Sequence, residues 1–268
     1  MREELVLREK THGERVVVLT LNRPEKRNAL NIPLLKSLVR AVEQANSDER
    51  TRVIVLRGAG AVFCAGLDLA EARDETRARE SGEWIAKALA AISGSRAVTI
   101  AAVQGAAVAG GAGLMSACDF VVAASDAKIG YPEVRRGLVA GLVMTFVHRQ
   151  VRDRDARELL ILGENINAER AREMGLVNCV TPAEAVLDTV RLIAMTVLKG
   201  APGAIERTKS MLDQLHGRPI ADDLRWALGH HASVRASDEA KEGIEAFNEK
   251  RSPAWEPEAD EDISLQGA

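Results

Sequence analysis

The sequence predicts an α/β protein in which strands and helices alternate over the first 180 or so residues and a helical part follows. Two observations carry this. Short β-branched runs bounded by Gly, Asn, Asp and Ser recur between helical or small-residue stretches. Past Ala168 the strand signals stop and only helix signals remain. The length of 268 residues suits one large domain or one domain with an appendage, since single cores rarely exceed roughly 250–300 residues.

In chain order, Val16–Leu21 (VVVLTL) reads as a buried strand, and Asn31 can cap a helix that places Leu35, Leu38, Val39 and Val42 on one face. Val53–Leu56 (VIVL), Thr99–Val103 (TIAAV) and Asp119–Ala124 (DFVVAA) are the next buried strands. Between them Arg73–Glu80 (RDETRARE) is a mixed charge run, read as a solvated helix face or a lid beside a site. Asn167 to Met174 carries a helix signal closed by Gly175. Thr181-Pro182-Ala183-Glu184 has the form of a capping box with proline at the first helical position. A further helix is expected from Ser237, with Asp238 and Glu239 in its first turn. Residues 256–268 hold five acids and no base, and read as a solvated tail.

Composition narrows the function. Apolar residues at 46% and charged residues at 28% support a folded core. A net charge of −3 and 3% aromatics argue against nucleic acid and against an anionic membrane surface. Cys64, Cys118 and Cys179 are odd in number and lie far apart, which excludes a CxxC pair and suits a reducing compartment. The opening MREELVLREK is charged where a leader needs an apolar stretch, so the expectation is a cytoplasmic protein without a membrane anchor.

Familiar site signatures are missing. There is no GxxxxGK[ST], GxSxG or HExxH, and the AGGAG run at Ala109–Gly113 fails as a dinucleotide fingerprint because Ser116 stands where the third glycine belongs. His12, His148, His216, His230 and His231 show no metal-ligand spacing, are read as structural or solvated, and no metal is expected. What remains is a paired feature. Val53–Leu56 opens through Gly58 and Gly60 into Cys64-Ala65-Gly66-Leu67-Asp68, and Thr99–Val103 opens through Gly105 into Ala109-Gly110-Gly111. Two strand-to-helix turns stripped of bulk let a ligand approach backbone N–H groups, and two such donors aimed at one point make an oxyanion hole. Either turn taken alone is better read as serving close packing.

The pairing and its flanks resemble the enoyl-CoA hydratase/isomerase, or crotonase, superfamily. The carrying segments are Val16–Leu30, Val53–Leu69, Thr99–Leu114, Ala117–Leu138 and Glu242–Trp255, in the family's order and spacing. The resemblance implies a spiral of β-β-α units over residues 1–200 carrying an acyl-CoA site. It also implies a helical trimerisation region over 201–255, assembled as a homotrimer or dimer of trimers. The substrate would be an acyl-CoA, with coenzyme A entering as part of it and no permanently bound cofactor.

Carried over by position, the oxyanion donors are the N–H groups of Leu67 and Gly110. CoA would lie around Lys26, Arg27, Ala29, Ala65 and Asp68, with Phe247 and Lys250 reaching it from the helical region. Hydratases of this family generally use two glutamates. The second aligns with Glu133 in GYPEV, whereas the first falls on Gly113. Glu133, among Ile129, Tyr131 and Val134, is placed to have a raised pKa, with a salt bridge to Arg135 or Arg136 as its structural alternative. One carboxylate suffices to carry a proton between C2 and C4, which favours isomerisation. Hydration stays open, because members resembling methylglutaconyl-type hydratases also carry glycine at this position. A CoA-thioester-binding protein without catalysis, or decarboxylation or thioester hydrolysis on the same scaffold, are the other readings. Val143 and Met144 depart from the family's G-x-x-P-G-x-G-G and are expected to reshape the acyl pocket.

Overall fold

The structure is a computed structural model that describes residues 4–68, 71 and 75–256. The chain starts with β1 (Val6–Thr11) and β2 (Val16–Leu21), paired antiparallel with Val6 opposite Leu21. Helix α1 (Ile32–Ser47) leads to β3 (Val53–Gly58), and α2 (Glu75–Ser93) leads to β4 (Val98–Val103). Then come β5 (Ala106–Val108), α3 (Gly110–Ser116), β6 (Phe120–Ala124) and β7 (Lys128–Gly130). Helices α4 (Gly141–Gln150) and α5 (Asp153–Arg157) precede β8 (Asn165–Asn167), α6 (Ala168–Met174) and β9 (Cys179–Thr181). Helices α7 (Val186–Leu198), α8 (Pro202–Leu215), α9 (Ile220–Arg235) and α10 (Asp238–Glu249) complete the described chain.

The strands form two sheets. One has six strands in the order β1-β2-β3-β4-β6-β9, parallel from β2 onward, and the other three in the order β5-β7-β8. Every residue of β4 is buried, as expected for a parallel strand covered on both faces. The sheet register runs Val53 opposite Val16 on one side and Val98 on the other, so β2, β3 and β4 end together. The chain therefore leaves β3 and β4 at neighbouring points, which places the two glycine turns side by side.

Local sequence explains most helix starts. Asn31 caps α1, its side chain accepting from the Leu34 N–H, and Leu35, Leu38, Val39 and Val42 are buried on one face. Asn167 caps α6, which Gly175 closes at φ 97°. Ser237 accepts from the Ala240 N–H to start α10. Two expectations are corrected. Strands do not stop at Ala168, because β9 pairs with β6 at the sheet edge. That pairing also undoes the capping box: Thr181 is held opposite Ala124 and its carbonyl accepts the Ser125 N–H, so the helical path that starts after Pro182, a 3-10 turn over Ala183–Ala185 leading into α7 at Val186, has no side-chain cap.

The C-terminal helices return to the core. Helix α9 packs against both α2 and α4, and α10 lies on the tight turn Pro132–Arg136. Of the charge run Arg73–Glu80, residues 75–80 open α2 and the rest lies outside the described residues, as does the acidic tail from 257. No helix among the described residues is long and apolar enough to cross a membrane.

Candidate active site

The first turn is held from inside by Asn28. Its buried amide donates to the carbonyls of Ala59 (2.9 Å) and Val62 (2.7 Å), and its Oδ1 accepts the Arg23 N–H (2.9 Å). Asn28 itself has φ 54°, a conformation asparagine tolerates better than most residues. The segment then reaches Gly66 at φ 94°, whose carbonyl accepts the Leu30 N–H (2.8 Å). A Cβ on Gly66 would stand 2.8 Å from the Val108 carbonyl oxygen, and one on Gly111 would stand 2.4 Å from that of Cys64. Only glycine lets the two turns press together so closely.

The turns are also bonded to each other. Cys64 donates to the Ala106 carbonyl (3.1 Å) and accepts from the Val108 N–H (3.0 Å). Ala109, at φ 50° and ψ −124°, reverses the chain into α3 while its N–H stays bonded to the Gly130 carbonyl (2.8 Å). As a result the Leu67 nitrogen lies 3.7 Å from where a Cβ on Gly110 would project. Among the described residues neither the Leu67 nor the Gly110 N–H meets an acceptor.

Glu133 approaches from the turn Pro132–Arg136. Its Oε2 is out of solvent and has no hydrogen-bond partner. Burial pushes its carboxyl up to about 7, against the opposing pull of its own backbone N–H and of Arg136. The salt-bridge alternative is not what forms. Arg135 pairs with Glu164 (3.1 Å), while Arg136 donates to the Pro132 carbonyl (3.3 Å) and stacks on Phe247 at 4.3 Å.

Glu133, Leu67 and Gly110 line one cavity of about 330 Å³. Lys26, Arg27, Ala29, Ala65, Asp68 and Phe247 line it too. Asp68 is ion-paired to Arg23 at 3.2 Å. Lys250 is exposed at the C-terminal end of α10 and is not part of the cavity wall. Of the two departures on α4, Val143 lines the cavity and Met144 does not.

Three ionisable wall residues were not among the candidates: Arg136, His231 and Arg235. His231, read from sequence as structural or solvated, is held neutral far into acid, burial pushing its pKa down to about 4 with the Arg235 charge adding to the effect. Its spacing of four from Arg235 places both on one face of α9, which is the signal the sequence offered. That this face is covered by α2 and α4 depends on tertiary packing.

The sequence model of the family described as enoyl-CoA hydratase/isomerase matches residues 11–258. A Thermus thermophilus protein provisionally named an enoyl-CoA hydratase is 39% identical over 245 residues, covering 90% of this chain and 97% of its own. The 2,3-dehydroadipyl-CoA hydratase of Escherichia coli is 34% identical over 241 residues, covering 90% of this chain and 94% of its own. The crystal structure of an enoyl-CoA hydratase from Mycobacterium avium superposes with a TM-score of 0.82 at 34% identity, covering 95% of this chain and 100% of that one.

Proposed function

The chain belongs to the enoyl-CoA hydratase/isomerase family, with the crotonase fold, and is therefore an acyl-CoA enzyme; from that premise we propose that it forms a thioester enolate held by the N–H groups of Leu67 and Gly110, with Glu133 moving the proton. The observation that carries the reading is the buried, unpartnered Oε2 of Glu133 in the cavity that the two free N–H groups also reach. Donors fixed in advance lower the barrier because charge grows on the thioester oxygen as the enolate forms, and the loss of one such donor typically costs about 2.7–4 kcal/mol. A carboxyl with a pKa near the working pH both takes and returns a proton efficiently.

In double-bond migration Glu133 takes the proton from C2 and returns it at C4, leaving the new bond between C2 and C3. In hydration it takes a proton from water as the hydroxyl adds to C3, and gives a proton to C2 as the enolate collapses. With Gly113 in place of a second carboxylate, migration needs fewer groups. The rim residues Lys26, Arg27, Ala29, Ala65, Asp68 and Phe247 would receive CoA, with exposed Lys250 free to reach its phosphates. No cofactor beyond the CoA of the substrate is called for.

We place the enzyme in the cytoplasm, where the cysteines stay as thiols; Cys64, Cys118 and Cys179 are unbridged. We assign it a homotrimer or dimer of trimers, with residues 1–200 as the acyl-CoA core and 201–255 as the assembly region. The exposed Leu192 and Met195 on α7, and Met211, Leu212 and Leu215 on α8, supply apolar surface suited to a subunit contact. Assaying 2-enoyl- and 3-enoyl-CoA esters separately for hydration and migration tests the reaction. Absence of both, with no calorimetric binding of any acyl-CoA, would overturn it. Light scattering that returned a monomer at micromolar concentration would overturn the assembly.

A further inference from the structure

The cavity wall holds a guanidinium that nothing among the described residues neutralises. Arg235 makes no hydrogen bond and no ion pair among the described residues, and its Nε and Nη1 are both out of solvent. Charged side chains are rarely buried unless paired, so a half-buried, unpartnered guanidinium in a cavity wall is a place where an anionic group of a ligand would be stabilised. One turn earlier on the same helix His231 also lines the cavity, and its buried Nε2 has no partner either. The His231 ring lies over Gly82 of α2, where a Cβ would come within 3.3 Å of it, and its Cβ lies 3.7 Å from where one on Gly141 of α4 would be. His231 is thereby fixed in the wall formed where α2, α4 and α9 meet.

Arg235 differs from Arg136, the other half-buried arginine of the cavity wall. Arg136 feels the Glu133 charge and stacks on Phe247, so it belongs to the catalytic carboxyl and the rim. For Arg235 burial alone is at work, with no carboxylate among the described residues acting on it. The same cavity is also lined by the aliphatic side chains of Ile85, Leu142 and Val143. Aliphatic side chains and a cation in one cavity wall suit an acyl chain that carries an anion.

We propose that the substrate is an enoyl-CoA whose acyl chain ends in a carboxylate, received by the unpaired guanidinium of Arg235 beside His231. This rests on the acyl-CoA reading above and narrows its substrate class. An anion on the substrate restores to Arg235 the pairing it lacks, and the planar fork suits a carboxylate bidentately. A purely hydrocarbon chain leaves that charge buried and unpaired, which is how a polar pocket rejects an apolar analogue.

The test compares two enoyl-CoA esters of equal length, one ending in a carboxylate and the other in its methyl ester. The expected result is a kcat/KM preference of wild-type enzyme for the carboxylate of about 100-fold. Arg235→Met should abolish it by losing the carboxylate substrate while keeping the methyl ester, and Arg235→Lys should retain part of it. Equal turnover of both esters by wild type overturns the proposal but leaves the acyl-CoA reading intact. Equal weakening of both by Arg235→Met assigns the guanidinium to a CoA phosphate and likewise overturns it. If neither ester is turned over, calorimetry of the two decides: a carboxylate preference that Arg235→Met removes upholds the proposal while the reaction fails, and no preference defeats it.

Discussion

A Cβ atom on Gly113 would lie 3.1 Å from Cγ2 and 3.4 Å from Cγ1 of Val143. Position 113 is where the resemblance puts the first hydratase glutamate, and α4 has grown a β-branched side chain against it. Gly113 and Val143, each a departure from the family pattern, thus pack against one another. Gly113→Glu alone should destabilise the protein by about 1–3 kcal/mol through overpacking and add no hydration. Adding Val143→Ala should recover the melting temperature and shift the product ratio toward the hydroxyacyl-CoA. A single variant that melts like wild type would show that α4 yields more easily than its packing indicates.

Glu133→Gln preserves shape but cannot accept a proton. Turnover should fall by roughly 10²–10⁴-fold, the span of one general base, with acyl-CoA affinity by calorimetry unchanged. The free enzyme's kcat/KM should rise with pH through about 7, because the carboxylate must be ionised to take the first proton. Wild-type turnover in the Gln variant would remove Glu133 from the mechanism.

Stability should record two buried groups of the cavity wall, Glu133 and His231, with opposite signs. Glu133 stays protonated in the fold up to about 7 but ionises above 4.5 when unfolded, so its contribution declines between those values. His231 stays neutral in the fold down to about 4 but protonates below 6.5 when unfolded, so its contribution is lost as pH falls through that window. Glu133→Gln should therefore be the more stable protein at pH 8, by roughly 3 kcal/mol. His231→Phe should lose less stability than wild type on going from pH 7 to 4. Urea melts at the three pH values check both, and parallel profiles for all the proteins would contradict the burial of these groups.

Legibility in the sequence followed how local the cause was. Strand β2 matches VVVLTL residue for residue because an uninterrupted apolar run states its own burial. Strand β1 was missed because VLREKT is an edge strand whose buried position is Val6 alone. Strands β5, β7 and β8 have three residues each, too few for any periodicity, and exist through their pairing. Thr181 has the sequence of a cap and the position of a strand end, so the partner strand decided. In the site, the turns around Gly66 and Gly111 are visible as composition. Arg235 and His231 look like surface residues of a polar helix until α2 and α4 close over them.

Ala109 is the remaining anomaly and gives the last prediction. A non-glycine residue at φ 50° and ψ −124° is strained, at a typical cost of about 1–3 kcal/mol. Its N–H bond to Gly130 holds it there, and the turn it makes sets the direction of the Gly110 N–H. Glycine would relieve the strain, offset by about 0.4–1 kcal/mol of added freedom in the unfolded chain. Ala109→Gly should therefore melt at or slightly above the wild-type temperature. It should nonetheless turn over more slowly, because a freer backbone leaves the Gly110 donor less fixed at the moment charge develops on the thioester oxygen. The loss should stay below the roughly 10²–10³-fold typical of deleting a donor outright, and should fall on kcat, with KM little changed. A variant with unchanged kcat would mean that the Ala109 conformation serves packing alone, and a lower melting temperature would mean that the methyl group contributes more than its strain costs.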